Sequence, residues 1–370
     1  MIETISCIPV LAEVLLERIK REGPITFHDW MRDALYDPSH GYYCRDKQTK
    51  WGREGDYRTS PERSSLFAAT FARYFATIYD ELERPSRWTI VEAGAGDGRF
   101  AHGVLQTFRV FFPEVLAATR YIIDEISSPS RALAKKRLLP FSRQLEFRNV
   151  DDKLDEWEVN PGIIFSNELL DAFPIHRVSM HDGALSEFYV NIGENGEFAW
   201  MLGPLSTPLL RSYFQKEGIK LGEGEVAEVN LEMEEWLRRV AARLRRGYLI
   251  TVDYGLTAAE LDGTGTLRGF RRHEIINDVL SRPGEQDLTT TVNWNFVKRV
   301  GDQLGFEVWE FARQDRFLLA AGLLDQLQLE SQKTESEAEK LRLSTAARDM
   351  ILPDGMAASF QVLVQKKTSA

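Results

Sequence analysis

The chain has 370 residues, 46 Lys+Arg against 56 Asp+Glu, a formal net charge of −10, and 43% hydrophobic residues. That length holds two or three domain-sized units, or one domain with a large insertion, and needs no covalent staples. Two cysteines, Cys7 and Cys44, exclude a disulfide framework and a Cys-rich zinc motif, no run approaches the ~18 apolar residues of a membrane span, and the acidic balance argues against a nucleic-acid protein.

The first 85 residues read as a helical region. Its start carries Glu3 and no basic segment before the apolar stretch, so no secretory signal is expected and a cytoplasmic location is the default. Leu11, Leu15 and Ile19 recur at i+4 and draw one apolar stripe. Thr26 and Asp29 stand three apart, as in a helix-opening capping box. Residues 37–41 are a turn that includes His40, and residues 52–61, with two glycines and a proline, are a loop. A helix is expected at 66–82, with its Phe67, Phe71, Tyr74 and Phe75 stripe packed in a core.

From residue 88 the texture changes. Strands are expected at 88–92, 121–124, 145–150 and 163–166, with helices at 99–108 and 129–139. This rhythm implies a parallel sheet covered by helices. Residues 175–230 break it: Asp182-Gly183 and Asn195-Gly196 are hairpin turns, so a small antiparallel meander is inserted there. A helix at 232–245, a strand at 248–253 and a long Gly-punctuated connection at 255–292 follow. The chain closes with a helix at 294–304 and strands at 306–310, 317–320 and 360–364. Residues 331–340 are a solvated helix face or a linker.

The sharpest local signal is Val91-Glu92-Ala93-Gly94-Ala95-Gly96-Asp97-Gly98, between an expected strand and helix. Glycines there permit close backbone approach; the plain alternative is an ordinary tight turn. Two features favour S-adenosylmethionine over a dinucleotide. Glu92 would repel a pyrophosphate but suits the cationic amino-acid end of S-adenosylmethionine. The spacing is also G-x-G-x-G, not the G-x-G-x-x-G that seats a pyrophosphate on a helix N-terminus. The next strand ends in Asp124-Glu125, and Glu125 is the choice for the ribose hydroxyls. The strand after it ends at Asp151-Asp152, near where adenine would lie, or in a solvated loop. His28, His102, His176 and His181 form no ligand spacing, so no metal is assigned.

Further stretches carry a resemblance. These are Leu35-Tyr36-Asp37-Pro38 with Gly41-Tyr42-Tyr43, then 55–62 (Gly-Asp-Tyr-Arg-Thr-Ser-Pro-Glu), the glycine turn, Glu125-Ile126-Ser127, 166–174 (Ser-Asn-Glu-Leu-Leu-Asp-Ala-Phe-Pro) and Asp253-Tyr254-Gly255. Later come Thr266-Leu267-Arg268, His273, Pro283-Gly284, Asp287-Leu288-Thr289 and Phe360-Gln361-Val362-Leu363. On these the chain resembles the MidA-like family of S-adenosylmethionine-dependent methyltransferases from about residue 11 to 365. The family's mitochondrial member is a complex I assembly factor that methylates an arginine of a partner subunit.

The resemblance implies a class I methyltransferase fold, Rossmann-like: a seven-stranded, mostly parallel sheet with an antiparallel last strand. A helical region at 1–85 would cover the cofactor, 86–174 and 231–370 would form the core, and 175–230 would be an inserted substrate subdomain. It assigns the cofactor to Thr59, Ser60, Glu92, Gly94, Ala95, Gly96, Glu125, Ile126, Asp151, Asp152 and Asn167. Methyl transfer to a guanidinium needs carboxylates that hold the group and accept its proton, which makes Glu168 and Asp171 the catalytic candidates. Their separation of three puts them on one side of a helical turn; a helix cap is the duller role for Asn167-Glu168. Glu62 is the third candidate, or else an acid stabilised at a helix N-terminus. Asp253 could line the same cleft, and His273 is a base or a surface residue. The expected activity is protein arginine N-methylation, with a small-molecule methyltransferase or a non-catalytic assembly factor as alternatives. The expected partner is an acceptor protein or small molecule, such as a respiratory complex I subunit where the host has one.

Overall fold

The computed structural model describes residues 9–45, 65–148, 157–271, 274–352 and 359–368. The chain divides into two compact units, Met1–Tyr57 with Leu170–Glu234 and Leu256–Phe296, and Arg58–Leu169 with Glu235–Gly255 and Val297–Ala370.

The second unit holds a sheet of strands β1 (Trp88–Ala93), β2 (Thr119–Asp124), β3 (Leu145–Arg148), β4 (Gly162–Asn167), β5 (Gly247–Leu256), β6 (Glu307–Arg313) and β7 (Phe360–Lys367). Their order is β3-β2-β1-β4-β5-β7-β6. Strands β1 to β5 pair in parallel, and β7 runs antiparallel to both β5 and β6. This is the expected class I methyltransferase sheet with its reversed last strand. Every residue of β1 is buried, as in a strand covered on both faces.

Helices Ser65–Glu81 and Arg99–Phe111 share one hydrophobic core with β1, β2 and β4. Phe71 is its hub, with ring centroids 4.9 Å from Phe67, 5.2 Å from Phe165, 5.4 Å from Phe317 and 5.9 Å from Phe100. Phe100 stacks on Phe165 at 4.3 Å. The Trp88 indole donates to Thr119 Oγ1 at 2.8 Å, so even the polar atom of this large side chain is satisfied.

One expectation for this unit is corrected and another is met in the main. Residues 317–320 are not a strand; they finish the helix Gln314–Ala320, with Phe317 and Leu318 buried. A four-residue apolar run carries no periodicity that separates strand from buried helix. Residues 331–340 are helical at both ends, in Leu323–Lys333 and Glu337–Ile351, with a break where Ser336 caps the second helix.

In the first unit, Leu11, Leu15 and Ile19 are buried on helix Val10–Glu22. Thr26 caps Phe27–Tyr36 by accepting from Asp29 N at 3.1 Å, and Asp37 Oδ1 closes the next turn by accepting from Ser39 N and His40 N. The expected meander exists. His176–His181 pairs antiparallel with Ala184–Ile192 around Asp182 and Gly183, both at positive φ, and Phe198–Gly203 and Val226–Val229 extend it. A helix, Pro208–Glu217, lies within it, started by the Thr207 side chain and stopped by Gly218 at φ 67. Within the connection expected at 255–292, Glu274–Ile276, Arg268–Arg271 and Asp287–Thr289 form a three-stranded sheet.

The units cut the chain differently from the texture. Helix Ser65–Glu81 goes with the sheet because its apolar side is a wall of that core. Leu256–Phe296 goes with the first unit, where Leu267, Val279, Leu280 and Leu288 pack against the cluster around Trp30 and Tyr42.

The sheet core and the first unit each yield a test. Phe71→Ala should lower stability by about 3–5 kcal/mol, read from chemical denaturation of the sheet unit. In the first unit His28 lies between Asp29 (3.2 Å) and Glu232 (3.1 Å) and stacks on His176 at 4.5 Å. Burial alone would lower the His28 pKa, but hydrogen bonds to the two carboxylates and their charges raise it to about 9. A raised pKa stabilises below the unfolded value of about 6.5 and loses that stabilisation as pH rises through the folded value. In an NMR pH series the His28 ring should therefore titrate near 9; a ring titrating at or below its ordinary value would show that these contacts do not hold.

Candidate active site

Strand β1 ends at Ala93, and the chain turns through Gly94, Gly96 and Gly98 at φ 69, 54 and 77 before helix Arg99–Phe111. Side chains are strained at such angles. At Gly94 a Cβ would also meet Leu169 Cδ1 at 2.9 Å, so the loops after β1 and β4 come close together. Gly94 itself is exposed, so no side chain keeps a ligand from this part of the turn.

The loop after β2 holds this turn. The Asp124 carbonyl accepts from Gly94 N at 2.8 Å. Glu125 Oε2 accepts from Gly96 N and Oε1 from Ser127 N, each at 2.7 Å. A carboxylate has about four acceptor positions, a donor-free group suited to ribose hydroxyls as well as to the turn. Ile126 beside it is 59% exposed and presents an apolar side chain suited to a flat base. The residues present therefore fit an adenosyl group: open glycine backbone, a vicinal-diol acceptor and an apolar platform.

Glu92 behaves differently from the expectation of a charged acid in the site. It is 4% exposed and lies on the same sheet face as core residue Ile90. Tyr121 Oη donates to its Oε2 at 2.7 Å. Burial raises its pKa to about 8, the Tyr121 bond opposes that, and the charges of Asp97 and Glu125 add to it. Asp97 is itself paired with Arg137 (2.5 Å) and Arg99 (3.1 Å). Sequence reasoning missed Tyr121; the signal was available only through strand register, which pairs Tyr121 with Ile90 and Glu92 with Ile123 and so makes Tyr121 and Glu92 diagonal neighbours.

At the end of β4, Glu168 adopts φ 52, its N–H donates to the Val252 carbonyl at 2.9 Å, and Asn167 Nδ2 donates to its Oε1 at 3.0 Å. Asn167 Oδ1 is buried with no hydrogen-bond partner among the described residues. The helical turn expected to align Glu168 with Asp171 is corrected: only a short 3₁₀ turn, Leu170–Ala172, follows, and Glu168 stands outside it in a left-handed conformation. Asp171 falls in the other unit, buried, its carbonyl accepting from Thr290 N at 2.9 Å. Asp253 is fully buried on β5. Thr59, Ser60, Glu62, Asp151, Asp152 and His273 lie outside the described residues. Among the described residues, His181, Asp182 and Glu223 could gather round a metal ion, but all three are exposed and the Glu223 carboxylate already accepts from Asp182 N and Gly183 N.

Residues 70–312 match a family of S-adenosyl-L-methionine-dependent methyltransferases. The chain is similar to a COG1565 superfamily member from Burkholderia thailandensis solved with bound S-adenosyl-homocysteine: TM-score 0.85, 29% identity, 96% of this chain and 92% of that one. It is 26% identical over 318 residues to the protein arginine methyltransferase NDUFAF7 homolog of Drosophila melanogaster, covering 80% of this chain and 70% of that protein. The Xenopus tropicalis protein arginine methyltransferase NDUFAF7 is 27% identical over 308 residues, 77% of this chain and 69% of that one. Both relatives are named as mitochondrial, so the comparisons give the expected cytoplasmic location no support.

Calorimetry with S-adenosylhomocysteine tests the turn. Glu125→Ala removes charge-assisted bonds of roughly 1.5–3 kcal/mol each and should weaken binding at least about tenfold. Gly96→Val should abolish it, since valine is strained at φ 54. Unchanged affinity in a folded Glu125→Ala protein would move the ribose contact elsewhere, with Asp124 the first candidate.

Proposed function

The chain belongs to the S-adenosyl-L-methionine-dependent methyltransferase family, and on that premise we propose that it methylates an arginine side chain of a protein. Gly94, Ala95 and Gly96 would offer backbone to the cofactor, Glu125 its acceptors and Ile126 its apolar face. When bound, S-adenosylmethionine supplies a methyl group on a sulfonium with a good leaving group. What this chain must add is alignment and the handling of one proton.

The observation that carries the reading is Glu168. A non-glycine residue in the left-handed region is costly unless its surroundings fix it. Here Val252 O holds the backbone and Asn167 the carboxylate. Such an acid, set just past a central parallel strand, suits a guanidinium. The acceptor's pKa is above about 12, so its nitrogen becomes nucleophilic only as a carboxylate polarises the group and takes its proton. The names of the curated relatives as protein arginine methyltransferases support the same acceptor. A respiratory complex I subunit is the first partner to try where the host has one.

Incubation with methyl-labelled S-adenosylmethionine and host lysate, followed by mass spectrometry, should find the label on a protein arginine. Glu168→Gln should leave cofactor affinity nearly intact and lower single-turnover methylation by roughly 10²–10³. A phenol or enol acceptor, already acidic, predicts the opposite, a mild or activating effect. Label on a lysine, a carboxylate or a metabolite, together with a fully active Glu168→Gln enzyme, would overturn the arginine reading and leave the cofactor assignment standing.

A further inference from the structure

Glu92 is a buried acid with no cation paired to it among the described residues. It ends the strand that leads into the glycine turn, and its polar neighbours are the Tyr121 hydroxyl from β2, the Ala101 backbone from helix Arg99–Phe111, and two other acids, Asp97 in the turn and Glu125 after β2. The nearby cations are committed elsewhere. Arg137 and Arg99 pair with Asp97, and no ion pair among the described residues includes Glu92. Glu125 accepts from the backbone N–H groups of Gly96 and Ser127. Tyr121 is fully buried and its own ionisation is pushed well up by burial and by Glu92, so its hydroxyl remains a donor. Burial, with the charges of Asp97 and Glu125, favours the neutral carboxyl; the Tyr121 and Ala101 hydrogen bonds oppose it without overturning it, so the neutral form holds until positive charge arrives.

We propose that Glu92 keeps its proton in the cofactor-free protein and releases it to solvent when the cationic cofactor binds, with Tyr121 the positioning residue that holds the carboxylate for that exchange. The balance is simple: one proton leaves the carboxyl for the buffer, and the charge it leaves behind is matched by the ligand's. Cofactor binding is thereby a pH-dependent event in its own right, separate from any proton handled during methyl transfer and independent of the acceptor's identity.

The sign follows from linkage. Burial raises the Glu92 pKa to about 8 in the free protein, and on this proposal binding lowers it. Affinity should therefore rise with pH below about 8, by up to about tenfold per unit for one linked proton. The useful window is about pH 6 to 7.5, below the ligand amine's own titration near 7.7–8.0. Titration calorimetry of the full chain with S-adenosylmethionine at pH 7, in two buffers of different ionisation enthalpy, should read close to one proton released per ligand bound. Glu92→Gln should bind with no release and a flat pH profile. Tyr121→Phe should bind more weakly and still show the rise with pH, and in the Glu92→Gln background it should leave the profile flat. A wild-type protein that releases no proton at pH 7 overturns the proposal, as does a Glu92→Gln variant that releases as much as wild type. Should Glu92→Gln fail to fold, the two-buffer measurement on the unaltered protein decides alone.

Discussion

The site rests on one carboxylate. Glu125 accepts from Gly96 N with one oxygen and Ser127 N with the other, and so ties the loops after two neighbouring parallel strands. The Asp124 carbonyl, which accepts from Gly94 N, ties the same two loops; such links matter because three glycines in the first remove the side-chain restraints that would fix its backbone. A charged acceptor is well matched to such a task, since hydrogen bonds to an ionised group contribute more than neutral ones. Glu125 is 8% exposed, buried enough to strengthen these bonds and open enough to meet a ligand.

The sheet explains why the binding turn and the catalytic candidate are neighbours. β1 pairs with β2 on one side and β4 on the other, so the strand order reverses direction between β1 and β4. Crossovers leave toward opposite sides at such a point and open a crevice beyond the strand ends. The glycine turn follows β1, and Asn167-Glu168 follow β4. A Cβ at Gly94 would meet Leu169 Cδ1 at 2.9 Å, so the loops after β1 and β4 lie close together there. The buried pair Glu92–Tyr121 lies one layer beneath.

What sequence revealed and what it hid divide along physical lines. The apolar runs that became β1, β2 and β4 were readable because strands buried on both faces tolerate little else. The glycine turn was readable because its spacing encodes backbone angles. Helix Pro208–Glu217 was missed, although Thr207 and Gly218 were its start and stop signals, because the hairpin turns around it dominated the reading. The left-handed Glu168 was invisible: its angle is imposed by Val252 and Asn167, and nothing in a glutamate announces it. Tyr121 needed a register before it could be joined to Glu92. Membership of Ser65–Glu81 in the sheet unit depended on which apolar faces meet across long stretches of chain, information that local texture does not contain.

Strand β7 has a consequence for how the protein is made. Phe360–Lys367 follows every other described strand in sequence, yet it lies between β5 and β6 and bonds to both along nearly its whole length. During synthesis β6 emerges with no partner to accept it, and the nascent sheet has an open flank at β5 until residue 367 clears the ribosome. Unpaired edges of that kind invite wrong pairing. An early stop codon or a rigid fusion placed just after residue 367 would act on the middle of the sheet, however peripheral the position looks in the sequence.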